Sequence, residues 1–207
     1  MYVPSHFAPD DDAVRDLLSR QRAADLVTAG PDGLEATTLP FHYDRERNTL
    51  QGHFARNNDH WRSADGREAL VIVRGDGDAY VTPTWYASKA EHGRVVPTWN
   101  YVVAHVHGSV TIHDDPEWLA DLVRRLTDHH EAGRAVPWSV DDAPDPFIAG
   151  QLRAIVGVEV AIRRIDAKFK LSQNRPGADI DGVVGGLRSD GDERGAAAVQ
   201  AHRPAPR

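Results

Sequence analysis

The sequence predicts a mainly β fold of the α+β class, an antiparallel barrel with a few flanking helices. Three observations carry this: short strand-like segments recur along the chain, turn residues separate paired segments, and few stretches have helical periodicity. A parallel α/β sheet would alternate each strand with a helix. With 207 residues, 41% of them hydrophobic and 27% charged, the chain is long and apolar enough for one compact domain over residues 1–187. Residues 188–207 are rich in Gly, Ala, Pro and charge and are expected to form a disordered tail.

The elements follow in order. Asp10, Asp11 and Asp12 precede Val14, Leu17 and Leu18, so acidic groups sit where a helix start favours them and a helix is expected over about 11–22. Segments 25–29 and 34–43 flank Pro31-Asp32-Gly33, which presets a tight turn and predicts a hairpin. Segment 49–54 reads as a third strand, after which Asn57 or Asn58 caps a short helix carrying Trp61. Segments 69–73 and 79–82, separated by Gly75-Asp76-Gly77-Asp78, predict a second hairpin.

The second half is more sharply punctuated. A β-branched and aromatic run over 98–113 ends at Asp115-Pro116, an N-cap followed by a favoured first helical residue. The helix expected over 116–131 buries Leu119, Leu122, Val123 and Leu126 on one face. A short helix over 147–155 and a closing strand over 156–171 complete the fold.

Composition excludes several functions. The net charge of −7 repels polyphosphate as a whole, so direct DNA binding is disfavoured, and no helix-turn-helix signal is present. The absence of cysteine removes disulfides, thiol redox chemistry and thiolate metal sites. The first twelve residues lack a basic and apolar leader pattern, and the longest apolar run, 69–73, is too short to span a bilayer, so a cytoplasmic location without membrane contact is expected.

Four segments concentrate chemistry. Gly52-His53-Phe54-Ala55-Arg56-Asn57-Asn58-Asp59-His60-Trp61 lies at a strand-to-helix junction, where free amides and the Arg56 fork suit a phosphate; a plain cap with Arg56 in solvent is the alternative. Trp85-Tyr86 and Pro97-Thr98-Trp99-Asn100-Tyr101 offer aromatic walls for a flat ligand, or ordinary core packing. His105 and His107 share a strand face but lack a third ligand, so no metal site is expected, and His129-His130 complements a helix end. Lys168 through Arg175 is the local basic cluster, with Lys168 and Lys170 on one face. Gly182 to Gly186 lacks the spacing and context of a nucleotide loop.

Met1-Tyr2-Val3-Pro4, Ala36-Thr37-Thr38-Leu39-Pro40, Gly52-His53-Phe54-Ala55 with Asn58 and Trp61, Pro83-Thr84-Trp85-Tyr86, Val96 to Tyr101 and Lys168 to Arg175 together resemble the PaiB family of FMN-binding negative transcriptional regulators. The resemblance runs over residues 1–187 and implies an FMN-binding split β-barrel with flanking helices, working as a homodimer with the flavin at the subunit interface. By motif position, it implies that Thr37, Thr38 and Leu39 form a flavin-facing strand and that His53, Arg56, Asn57 and Asn58 form the phosphate-side turn. Trp99, Asn100 and Tyr101 then sit near the ring, and Lys170, Leu171, Ser172 and Gln173 close the site. The chain departs from the family at Asp59, where Pro is usual, and at Thr38, where His is common.

Two further functions compete with regulation. One is an FMN-dependent oxidoreductase that takes hydride from NAD(P)H, since the cofactor itself performs the hard step. The other is haem handling, with His53, His105 or His107 as axial ligand.

Overall fold

The computed structural model describes residues 1–20, 23–30 and 33–205. The chain divides into two compact units. One comprises Arg15–Val73 and His105–Ile165; the other comprises Met1–Val14, Arg74–Ala104 and Asp166–Arg207. The elements in chain order are α1 (Asp11–Ser19), β1 (Ala23–Gly30), β2 (Gly33–Pro40), β3 (His42–Asp44), β4 (Thr49–Ala55), α2 (His60–Ala64), β5 (Glu68–Arg74), β6 (Ala79–Val81) and α3 (Ser88–His92). They continue with β7 (Thr98–His113), α4 (Pro116–Glu131), α5 (Asp145–Arg153), β8 (Ile155–Lys170), α6 (Gly177–Ser189) and α7 (Glu193–Ala201).

The first unit is a rolled antiparallel sheet. Its strand order is β2-β1-β5-β7-β8-β4-β3, and β2 also lies against β4, which bends the sheet back on itself. Close approach there depends on Gly52, where a Cβ would press on the Pro40 carbonyl and the Phe41 ring. Alternation sends Leu26, Phe54, Val71, Val106, Val156, Val158 and Val160 inward, all fully buried. Each such side chain contributes about 1.5–3 kcal/mol by leaving water. On the opposite face of β8, Gly157 makes room for Trp118 of α4, whose ring stacks on His113 with centroids 4.1 Å apart.

The second unit carries β6 on the start of β7, with Ala79 opposite Asn100 and Val81 opposite Thr98. Around it pack α3, α6 and α7. Gly182 and Gly186, one turn apart on α6, sit against the Trp85 carbonyl and ring, where a Cβ would not fit. These glycines therefore serve helix packing. Ser88 anchors the same helix by donating its amide (2.9 Å) and hydroxyl (2.7 Å) to the buried Asp179 carboxylate.

Most elements fall where the sequence places them; β7 and α4 match to the residue, with Asp115 accepting from the Glu117 amide as N-cap. Several expectations are corrected. The strand expected over 34–43 stops at Pro40, which has no amide to donate, and β3 starts afresh at His42 to pair with β4. Segments 69–73 and 79–82 do not pair as a hairpin. Both run antiparallel to β7, as the Gly66–Val110, Val110–Arg67 and Gly75–Val102 bonds show, and Gly77 at φ 107° lies in the kink between them.

The helix expected over about 11–22 covers Asp11–Ser19, residues 21 and 22 lying outside the described residues, and the one expected over 147–155 covers Asp145–Arg153. Pro31 and Asp32 of the first turn lie outside the described residues. The expected disordered tail is also revised. Residues 193–201 form α7, capped by Asp192 through the Gly195 amide, and bury Ala196 and Val199. Small side chains need no long apolar period to pack closely, and alanine favours the helix intrinsically.

Candidate functional site

In the barrel unit, the strand-to-helix junction closes around His60. Its Nε2 lies 2.8 Å from the buried Thr28 hydroxyl and its Nδ1 2.8 Å from Thr37 Oγ1. Asn58 supports both neighbours, donating from Nδ2 to Thr37 Oγ1 at 3.2 Å and accepting the His60 amide at 3.0 Å. Asn58 is thus the side chain that caps α2, although it stands one residue before the formal cap, Asp59. Burial pushes the His60 imidazole below its ordinary value, opposed by the Glu35 carboxylate. Sequence reasoning missed His60 as the hub, because Thr28 and Thr37 reach it only once the sheet is rolled.

The other candidates in this unit do not gather there. Leu39 is buried in the core. Thr38 is exposed and donates to Asp25 across the β1–β2 ladder at 2.5 Å. His53 pairs with Gly157 across the β4–β8 ladder, so its side chain shares the face covered by Trp118 and His113. Burial lowers its pKa, the Phe54 backbone only partly offsetting this. Asn57 is exposed.

Arg56 is committed elsewhere. Nη1 and Nη2 form a fork on Asp114 (3.1 and 2.5 Å), Nε donates to the Arg153 carbonyl at 2.7 Å, and Nη2 also reaches the Ile155 carbonyl at 2.9 Å. Four of the five donors of the guanidinium are therefore spent on the end of α5, the start of β8 and the loop after β7.

In the second unit the candidates do converge. Lys170 Nζ donates to Thr98 Oγ1 at 2.5 Å and to the Trp99 carbonyl. Lys168 and Lys170 stand over the Tyr101 ring at 5.6 and 5.9 Å, and both are 5.9 Å from the Phe7 ring. Lys170 is held below the ordinary lysine range by burial first, then by the charges of Lys168 and Arg175. Next to it, Ser172 adopts a left-handed φ of 67° and donates its hydroxyl to Asn100 Oδ1 at 3.1 Å, while the Asn100 Nδ2 is buried without a partner. Gln173 folds back on its own strand end, accepting the Leu171 amide at 2.7 Å and donating to the Phe169 carbonyl at 2.6 Å. Leu171 is buried, and Trp99 is 58% exposed beside Tyr80.

Chemically, the second unit presents two neighbouring ammonium groups, an aromatic face and an orphaned amide donor. Like charges held together repel, and an anionic ligand relieves that repulsion. Lys168 is the residue that motif position alone underrates; its alternation with Lys170 is visible in the sequence, but Phe7 and Tyr2 reach it only through the fold.

The rolled antiparallel sheet with flanking helices is an α+β split β-barrel of the FMN-binding class. The same fold is seen in a conserved hypothetical protein of Mycobacterium tuberculosis, at TM-score 0.61 and 15% identity over 85% of this chain and 94% of that one. It is also seen in the FAD and haem binding protein of Mycobacterium smegmatis, at TM-score 0.57 and 17% identity over 80% and 74% of the two chains. Residues 1–164 match the family described as "Putative FMN-binding domain", and the chain belongs to that family. It is 27% identical over 193 residues to protease synthase and sporulation protein PAI 2 of Bacillus subtilis (strain 168), covering 92% of this chain and 90% of the relative. The PaiB resemblance read from the motifs is borne out, and FMN is the cofactor of this protein. The paired ammonium groups, the orphaned Asn100 amide and the aromatic face fit its anionic, planar structure.

Proposed function

We propose that this chain is an FMN-binding negative regulator of gene expression that works as a homodimer with flavin at the subunit interface. The observation that carries the flavin contact is the Lys168–Lys170 pair over Tyr101, two cations in want of an anion beside a planar aromatic surface. Lys170, Trp99, Asn100, Tyr101 and Ser172 hold FMN in this reading; Arg56 and His53 act structurally. FMN, when bound, supplies a reversible redox centre; the chain binds it, orients it and limits water around it.

The dimer reading draws support from large apolar side chains left in solvent on the second unit. Tyr2 is 82% exposed, and Tyr80 and Trp99 form an exposed edge-to-face pair across β6 and β7. A second copy is the partner that the family relationship supplies for such a surface. The net charge of −7 favours regulation through a partner or metabolite over direct grip on DNA.

A second reading, an FMN-dependent oxidoreductase using NAD(P)H, draws on the same lysines, because positive charge beside a flavin stabilises its anionic reduced form. Haem handling is the weaker reading, since His53 lies on the Trp118-covered face.

The test is made on the purified chain and in a host that encodes it. The expected outcome is a yellow dimer with one FMN per chain, and the same transcripts rising on deletion of the gene and on its replacement by Lys170→Met. A monomer, or a deletion that leaves every transcript unchanged while the protein turns over NAD(P)H, would contradict the regulatory reading and favour the enzyme.

A further inference from the structure

The second unit holds a cleft of about 1060 Å³ on the side of β8 opposite the lysine pair. Phe169 lines it, and because successive side chains of a strand point to opposite faces, Phe169 turns away from the surface that Lys168 and Lys170 share. The rest of the lining mixes donors with apolar surface: Arg175, His6, His202, Ile180 and Pro9.

Asp10, the acidic member of the lining, accepts the Ala13 amide at 2.8 Å at the start of α1. Arg203 is neutralised by a two-pronged pair with Asp181. Arg175 is different. Its guanidinium lies 4.3 Å over the Tyr86 ring, which fixes the plane of the fork, and among the described residues no carboxylate pairs with it. A pre-oriented fork loses little freedom on gripping a carboxylate or phosphate, and grips it with two parallel bonds.

His202 borders the same cleft, its Nδ1 held 2.9 Å from the Ala198 carbonyl. Phe169, whose ring meets His202 edge-on at 5.2 Å, and Ile180 give the apolar floor on which a flat body would lie.

We propose that this cleft is a binding site, separate from the flavin contacts, for a small organic anion: one phosphate or carboxylate head taken by Arg175 on a flat apolar body packed on Phe169. It is independent of whether the protein regulates or catalyses, and it gives either function a small-molecule input.

The test is calorimetric titration of the FMN-loaded full-length protein with phenyl phosphate, with inorganic phosphate and phenol as head and body alone. Phenyl phosphate is expected to saturate at one per chain and to bind more tightly than either fragment. Arg175→Gln should weaken it by roughly tenfold or more, the loss expected for a charged hydrogen bond, with the flavin content unchanged. Asn174→Asp, an exposed change that sets a carboxylate beside Arg175, should weaken it likewise without threatening the fold. Absence of saturable binding, or equal affinity in both variants, would overturn the proposal. So would loss of FMN along with phenyl phosphate binding in Arg175→Gln, which would assign the cleft to the flavin.

Discussion

Arg56 grips Asp114 through two parallel hydrogen bonds, Nη1 to Oδ2 at 3.1 Å and Nη2 to Oδ1 at 2.5 Å. The pair joins the turn after β4 to the loop after β7, and the remaining Arg56 side-chain bonds satisfy the Arg153 carbonyl at the end of α5 and the Ile155 carbonyl at the start of β8. Each partner holds the other's charge: the Arg56 pKa is raised by Asp114 and the Asp114 pKa is lowered by Arg56. Arg56→Ala is therefore expected to lower the midpoint of thermal unfolding and leave the FMN dissociation constant unchanged. Weakened FMN binding in a variant of unaltered stability would return Arg56 to the phosphate.

His60→Ala leaves the buried Thr28 hydroxyl without its partner and strips one from Thr37. The expected loss is about 1–3 kcal/mol in chemical denaturation, the cost of orphaning a buried polar group. A variant as stable as the parent would show that the barrel end does not depend on this bond.

Acid should destabilise the fold in the histidine range. His42, His53 and His60 are each held below the ordinary value of 6.5, burial being the largest cause in all three. The unfolded chain then binds protons that the folded chain refuses, so stability is complete above about pH 6.5 and falls as pH drops below it. Thermal midpoints measured between about pH 7 and pH 5 should decline, and His60→Ala should remove part of the slope. A midpoint that rises on acidification would contradict the assignment.

Gly182→Ala tests the seating of α6. Its new methyl would meet the Trp85 carbonyl, a backbone atom that cannot swing aside. The expected cost is about 1–3 kcal/mol, as for other overpacked sites. At Gly185, where nothing lies within 4 Å of an added Cβ, alanine should be tolerated or stabilising.

The fold was legible wherever local chemistry punctuates the chain. Asp115-Pro116 marks the border of β7 and α4 to the residue, because a cap and a fixed φ act within a few positions. Segments 69–73 and 79–82 misled, since a Gly-rich spacer looks the same whether the flanking strands pair with each other or follow one long partner, and only β7 decides between these. The candidate site was half legible. Lys168, Lys170, Trp99 and Tyr101 could be found from strand alternation and composition. His53, Arg56 and Asn58 are neighbours in sequence but part in space, His53 to the Trp118-covered face, Arg56 to Asp114 and Asn58 to His60. Strand pleat and the turn that follows separate them, and neither is visible until register is fixed.

Titrating flavin-free protein with FMN, followed by quenching of flavin fluorescence, tests the flavin contact most directly when parent and Lys170→Met are compared. The parent is expected to saturate at one FMN per chain. Removing one of the two ammonium groups over Tyr101 should weaken binding by about 1.5–3 kcal/mol, the range for a charged hydrogen bond. An unchanged dissociation constant in a correctly folded Lys170→Met protein would place the flavin elsewhere.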